Sequence, residues 1–263
     1  MKTMIRERGK GVFWRSLMAV WLTASVAVGA MEIKNNTQAV DQMGKQRMLS
    51  MRMLKDYVMM GMGNTYGDPK KDLEKTSAEF DEALKALKGY IKEGEIKEKV
   101  VELEKEWAKV RKVLEKKPEK SRAKEYLKMM VHLREVANDA TNMLAKKDGD
   151  GKGHQVLNMS GRLRAVSQAL AAVYMLKTWQ MEGADEALKV PMKRFRGSMD
   201  YLLKAPETGP EMKKILDRLE KTYLFFQVMN ESGTFTPSLV AKKTDRMLRD
   251  ASQLTRLYAE KLN

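Results

Sequence analysis

The chain has 263 residues, of which 43% are hydrophobic and 32% charged, and its formal net charge is +15. It contains no cysteine and only two histidines, which excludes disulfides, Cys-ligated zinc and iron–sulfur centres and argues against His-based metal sites or catalytic triads. Few prolines, with frequent Ala, Leu, Lys, Glu and Met, favour an almost wholly helical protein.

The first thirty residues have the pattern of an export signal. Five lysines and arginines precede an apolar run over 16–30, which is shorter than the roughly twenty residues of a membrane-spanning helix. Val28 and Ala30 stand at the −3 and −1 positions of a signal-peptidase site. We therefore expect residues 1–30 to be a cleaved signal peptide and the mature protein to be soluble in the periplasm. An uncleaved membrane anchor is the alternative.

Four stripes of apolar residues at 3–4 spacing predict amphipathic helices farther along the chain. They cover residues 80–91, 96–114, 126–144 and 240–258. Glycines and prolines separate the predicted helices, and Asp68 followed by Pro69 predicts an N-cap with proline at the first helical position. Basic and acidic residues alternate on these helices, which is typical of solvated surfaces, and no basic–aromatic cluster suggests a nucleic-acid partner.

The two halves of the sequence also resemble each other. One motif recurs 117 residues later: Gly44-Lys-Gln-Arg-Met-Leu-Ser50 with Tyr57, and Gly161-Arg-Leu-Arg-Ala-Val-Ser167 with Tyr174. We predict an all-α protein of two tandem antiparallel four-helix-bundle repeats, over 31–147 and 148–263. The Gly-rich segment between them superficially resembles a calcium loop. However, Lys152 and Met159 stand at ligand positions, so we interpret it as a linker and expect no metal site.

The recurring motif resembles the signature helix of the nitrate/nitrite-sensor and type IV pilus chemoreceptor N-terminal domain family (PilJ/NarX-like). The first copy keeps nine residues of the family pattern: Gly44, Gln46, Arg47, Met48, Leu49, Ser50, Arg52, Met53 and Tyr57. The second copy matches less well, because it departs at Ala165, Val166 and Ala169. The resemblance implies a periplasmic, non-enzymatic four-helix sensory bundle. In nitrate-sensing relatives, the ligand lies between two copies of this helix at a dimer interface.

The resemblance assigns the ligand-binding arginine to Arg47, and to Arg164 in the second copy. A guanidinium offers planar, forked donors that suit nitrate, nitrite or carboxylate. Helical spacing places one serine and one tyrosine on the same stripe as each arginine. The predicted ligand-binding residues are Arg47, Ser50, Tyr57, Arg164, Ser167 and Tyr174. We hypothesise that the two halves set Arg47 against Arg164. The alternative is that each arginine pairs with a carboxylate on a neighbouring helix or reaches solvent.

Methionine is unusually frequent, with 22 residues, of which seven crowd into the first predicted helix: Met43, Met48, Met51, Met53, Met59, Met60 and Met62. Thioethers bind Cu(I), but methionine also fills irregular gaps between helices, and we favour packing. A Met-rich copper-handling protein and a periplasmic interaction scaffold without a small ligand stay open as alternatives.

No nucleophile–base pair, carboxylate dyad or phosphate loop stands out, so we expect no enzyme and no cofactor. Because the chain stops at Asn263, after the eighth predicted helix, we expect any signal to pass to a separate membrane receptor or kinase. Homodimer formation is left open.

Overall fold

The computed structural model describes residues 31–147 and 152–262, which form eight α-helices and no strand, so the predicted all-α class is confirmed. In chain order the helices are α1 (Asn36–Gly61), α2 (Pro69–Tyr90), α3 (Gly94–Leu114), α4 (Ala123–Lys146), α5 (Lys152–Thr178), α6 (Ala184–Lys204), α7 (Pro210–Glu231) and α8 (Pro237–Leu262). The predicted signal peptide and the middle of the predicted linker lie outside the described residues.

The helices pack around two central members, α1 and α5. Helix α1 packs on α2 and α4, and α3 packs on α4; correspondingly, α5 packs on α6 and α8, and α7 packs on α8. The most extensive pairing in the protein joins α1 to α5, and both groups of helices belong to one compact unit. The first helix of each predicted repeat therefore lies where the two groups meet. The duplication itself stays a prediction.

Helices α1 and α5 are buried on nearly all sides. Every residue from Leu163 to Leu176 is buried, and α1 is buried from Met53 to Met59. Five of the seven methionines noted above lie in the core with at most 6% of their surface exposed, and Met60 and Met62 pack against it. Methionine fills irregular gaps between packed helices, so the buried α1 methionines serve as core packing.

Helices α2, α3, α4 and α8 each bury the apolar stripe that their sequence spacing predicts. Helix α3, for example, buries Val100, Leu103, Trp107 and Val110. The predicted start of α2 is confirmed, since the Asp68 side chain accepts a hydrogen bond from the Lys71 backbone N–H at 3.3 Å and Pro69 opens the helix. Within the described part of the chain, no helix combines the length and apolarity needed to cross a bilayer.

Candidate functional site

Two glycines let two arginine side chains lie between α1 and α5. A Cβ atom built on Gly161 of α5 would lie 3.2 Å from Nη2 of Arg47 and 3.3 Å from Nη2 of Arg164. A Cβ atom on Gly44 of α1 would lie 3.0 and 3.7 Å from the same two nitrogens. Both guanidinium groups therefore occupy the space above both glycines, and the structure brings Arg47 and Arg164 together.

Arg47 is a buried cation with neutral partners. Only 2% of the residue is exposed. Its Nη1 donates to Oδ1 of Asn158 at 2.7 Å and to Oδ1 of Asn138 at 3.2 Å, and its Nη2 donates to the backbone oxygen of Asn158 at 3.3 Å. The Asn158 amide nitrogen in turn donates to Oδ1 of Asn142 at 2.9 Å, which orients the amide. Among the described residues, no carboxylate lies within 4.0 Å of Arg47.

Arg164 differs from Arg47 because it has a carboxylate partner. Its Nη2 donates to Oδ1 of Asp41 on α1 at 2.6 Å and approaches the Asp41 backbone oxygen at 3.4 Å. The Nε atom of Arg164 is buried and has no hydrogen-bond partner. Pairing with a carboxylate on a neighbouring helix, the alternative considered from the sequence, is thus what the structure shows for Arg164 and not for Arg47.

Further arginines make the surroundings strongly positive. Burial is the main cause that lowers the pKa of Arg47 well below its usual value, and four neighbouring arginines lower it further: Arg162, Arg164, Arg134 and Arg194. Burial also lowers the pKa of Arg134 to about 10. Glu135 pairs with both Arg134 and Arg194, the latter at 2.8 Å. Positive charge gathered around a buried guanidinium favours the binding of an anion.

The two predicted serines bond to their own helices. The Ser50 hydroxyl donates to the backbone oxygen of Gln46 at 2.8 Å, and the Ser167 hydroxyl donates to that of Arg164 at 2.7 Å. Both serines are completely buried. Each hydroxyl therefore already donates its proton within its own helix and has none left to donate to a ligand. The small size of both serines suits the close packing of α1 on α5.

The two predicted tyrosines contact loops. The Tyr57 hydroxyl lies 3.0 Å from the backbone oxygens of both Val113 and Lys116, at the end of α3. The Tyr174 hydroxyl accepts a hydrogen bond from the backbone N–H of Thr236, just before α8, at 3.1 Å. Each tyrosine stands ten residues after its arginine, which is about 15 Å along a helix axis. The structure therefore does not bring the tyrosines together with the arginines.

The polar partners of the arginines were missed from the sequence. Asn138 lies on α4 and Asn158 on α5, far from Arg47 along the chain, and neither belongs to the motif that singled out the arginines. One signal was available: Asp41 and Asn158 are 117 residues apart, the same offset that relates Arg47 to Arg164. Comparison of the repeats beyond the motif would have found this pair.

A separate cavity of about 620 Å³ lies between α2 and α3, around Trp107. Four of its charged lining residues form two ion pairs, Lys88 with Glu104 at 2.6 Å and Arg111 with Asp81 at 3.2 Å. Lys85 and Lys112 also line this cavity, but both are exposed to solvent, whereas the Arg47 guanidinium between α1 and α5 is buried.

Comparison with known proteins gives one result. Residues 31–132 match the family model described as the N-terminal domain of type IV pili methyl-accepting chemotaxis transducers (PilJ). The match covers α1 to α3 and the first part of α4, so the second copy predicted over 148–263 stays a prediction. No curated protein and no solved structure matches the chain.

Proposed function

We propose, from the similarity of residues 31–132 to a sensory chemotaxis-transducer domain, that this protein is a non-enzymatic periplasmic sensor of a small oxyanion, nitrate or nitrite. The proposed site lies between α1 and α5 and is formed by Arg47 and Arg164. The observation that carries the proposal is the Arg47 guanidinium, which is buried beside a second arginine and, among the described residues, is hydrogen-bonded only to neutral groups.

The energetics support an anion at this place. Burying a charge without an opposite charge costs several kcal/mol, and a bound anion between the two guanidiniums offsets that cost. The amide oxygens of Asn138 and Asn158 orient Arg47 without neutralising it. A trigonal oxyanion fits the planar, forked donors of arginine better than a spherical ion does.

The proposed duplication explains how one chain makes the site. Arg47 and Arg164 stand at equivalent positions of the two copies of the motif, and the helices that carry them form the most extensive pairing in the protein. We propose that this internal pairing takes the place of the dimer interface at which the sequence resemblance puts the ligand.

Thermal unfolding tests the proposal. The purified protein is heated in a low-chloride buffer with sodium nitrate, sodium nitrite or sodium gluconate at equal ionic strength. Nitrate or nitrite at about 100 times its dissociation constant stabilises the folded state by about 2.7 kcal/mol. For a protein of this size, that raises the midpoint by about 5–10 °C. Gluconate controls for ionic strength and is expected to leave the midpoint unchanged, because this six-carbon anion is too bulky to enter between two packed helices.

Two variants and one matched control locate the effect. Arg47→Gln and Arg164→Gln should each abolish the nitrate or nitrite shift. Lys45→Gln removes the same charge from α1, but Lys45 pairs with Glu79 at 3.1 Å on another face, so this control should keep the shift. The proposal is wrong if the folded protein shows no shift with either anion at millimolar concentration, or if Arg47→Gln retains a shift of wild-type size.

A further inference from the structure

The two arginines of the proposed site are held in equivalent ways by different chemical groups. Asp41 of α1 accepts from Arg164 at 2.6 Å, and Asn158 of α5 accepts from Arg47 at 2.7 Å. Asp41 and Asn158 are 117 residues apart, and each stands three residues before the glycine of its motif. One arginine is therefore neutralised by a carboxylate, while its counterpart is bound by an amide that carries no charge.

We infer that Asp41 is an internal counter-ion that competes with the bound anion for Arg164 and thereby sets the affinity of the site. This inference rests on the proposed function. The site is therefore asymmetric. Arg47 is able to bind the anion directly, whereas Arg164 binds it only to the extent that the Asp41 carboxylate moves away.

The geometry explains the competition. Both Nη2 atoms lie within 3.3 Å of one point above Gly161, but the Nη2 atom of Arg164 already donates to the Asp41 carboxylate. A charge-assisted bond of this length is among the strong hydrogen bonds of proteins. An oxyanion that bridges the two Nη2 atoms meets an uncompensated charge on Arg47, whereas on Arg164 it has to weaken an existing ion pair.

The exposure of the two partners shows which one is able to move. The Arg164 side chain is 9% exposed, whereas that of Asp41 is 28% exposed. Asp41 is therefore able to turn its carboxylate towards water while Arg164 stays in the interior. Among the described residues, the other carboxylate that pairs with these arginines is Glu135, which already binds Arg134 and Arg194. Asp41 is thus the acid that competes at the arginine pair.

Calorimetric titration with sodium nitrate tests the inference on the wild type and three variants. Asp41→Asn makes the two halves alike and should lower the nitrate Kd by about tenfold, which corresponds to about 1.4 kcal/mol. Asn158→Asp places a carboxylate on Arg47 as well and should raise the Kd by at least tenfold. The double variant Asp41→Asn/Asn158→Asp keeps the net charge and only exchanges the two groups, so its Kd should return to near the wild-type value.

A charge control separates this competition from a general change in potential. Glu79→Gln removes one negative charge from α2, where Glu79 pairs with Lys45 and not with the arginine pair. It should change the nitrate Kd less than twofold. A decrease in Kd as large as that of Asp41→Asn overturns the inference.

The outcomes distinguish this inference from the proposed function. Nitrate binding by the wild type, with an equal Kd in Asp41→Asn, overturns the inference and leaves the proposed function standing. If neither the wild type nor any variant binds nitrate or nitrite, the inference and the proposed function are both wrong. If Asp41→Asn does not fold, the test rests on Asn158→Asp. A higher Kd in this variant supports competition by a carboxylate, and an unchanged Kd overturns the inference.

Discussion

Adding one methyl group at Gly161 is expected to block the anion without unfolding the protein. The Cβ atom of Gly161→Ala would lie 3.2 Å from Nη2 of Arg47 and 3.3 Å from Nη2 of Arg164. These contacts are short by a few tenths of an ångström for a carbon atom. They are made to the ends of long side chains, which are able to withdraw by that amount.

The expected change in stability is small because two effects oppose each other. Alanine in place of a helical glycine stabilises by about 0.5–1 kcal/mol, and a mild overpacking costs about 1 kcal/mol or more. We therefore expect the free energy of unfolding of Gly161→Ala to stay within about 1 kcal/mol of the wild type. The methyl group nevertheless pushes both guanidiniums away from the positions in which they converge, so the nitrate Kd should rise at least tenfold, or by about 1.4 kcal/mol.

Urea denaturation and nitrate titration measure the two quantities separately. The matched control is Gly197→Ala in α6, where an added Cβ meets no atom within 4 Å. This variant should gain about 0.5–1 kcal/mol of stability and keep the wild-type Kd. A folded Gly161→Ala protein that binds nitrate as tightly as the wild type would show that the anion does not lie between the arginines.

Two further predictions concern stability. Gly61→Ala puts a Cβ 2.5 Å from two ring carbons of Trp179, which is a rigid group, and should lower the free energy of unfolding by about 1–3 kcal/mol in urea denaturation. In the control Gly89→Ala the added Cβ meets nothing within 4 Å, so this variant should be more stable than the wild type by about 0.5–1 kcal/mol. Equal stability of the two variants would contradict this packing. Burial raises the pKa of Asp56 to about 7 from 3.8. A raised carboxyl pKa means that its contribution to stability is complete below about pH 4 and is lost as the pH rises towards 7, by at most about 4 kcal/mol. Asp56→Asn mimics the protonated acid and should therefore exceed the wild type in stability by more at pH 8 than at pH 5, because the wild type has lost only part of this contribution at pH 5. A constant difference between pH 5 and pH 8 would refute the assignment.

The outer helices could be predicted because their evidence is local. The apolar stripes over 80–91, 96–114, 126–144 and 240–258 lie in α2, α3, α4 and α8. A helix with one buried face repeats its apolar residues every three or four positions, whatever it packs against. Helices α1 and α5 carry no such single stripe, because they are buried all round, and their central position became clear only from the packing.

The arginines of the candidate site could be predicted, but their surroundings could not. The motif singled out Arg47 and Arg164, whereas Asn138 on α4, which orients Arg47, matches no motif. The spacing also placed Tyr57 on the arginine stripe. Spacing on a helix predicts only which face a side chain lies on. Tyr57 lies ten residues after Arg47, which is about 15 Å farther along the helix axis.

By itself the sequence determined the all-α class, the helical stripes and the arginine-bearing motif, since each follows from residues within a few turns of one another. The tertiary structure decided which charges are compensated. Arg47 meets Asn158 across 111 residues, and Arg164 meets Asp41 across 123. Electrostatic compensation depends on distance and burial in space, and these are set only when α1 packs against α5. That packing leaves one arginine neutralised by a carboxylate and the other bound by an amide.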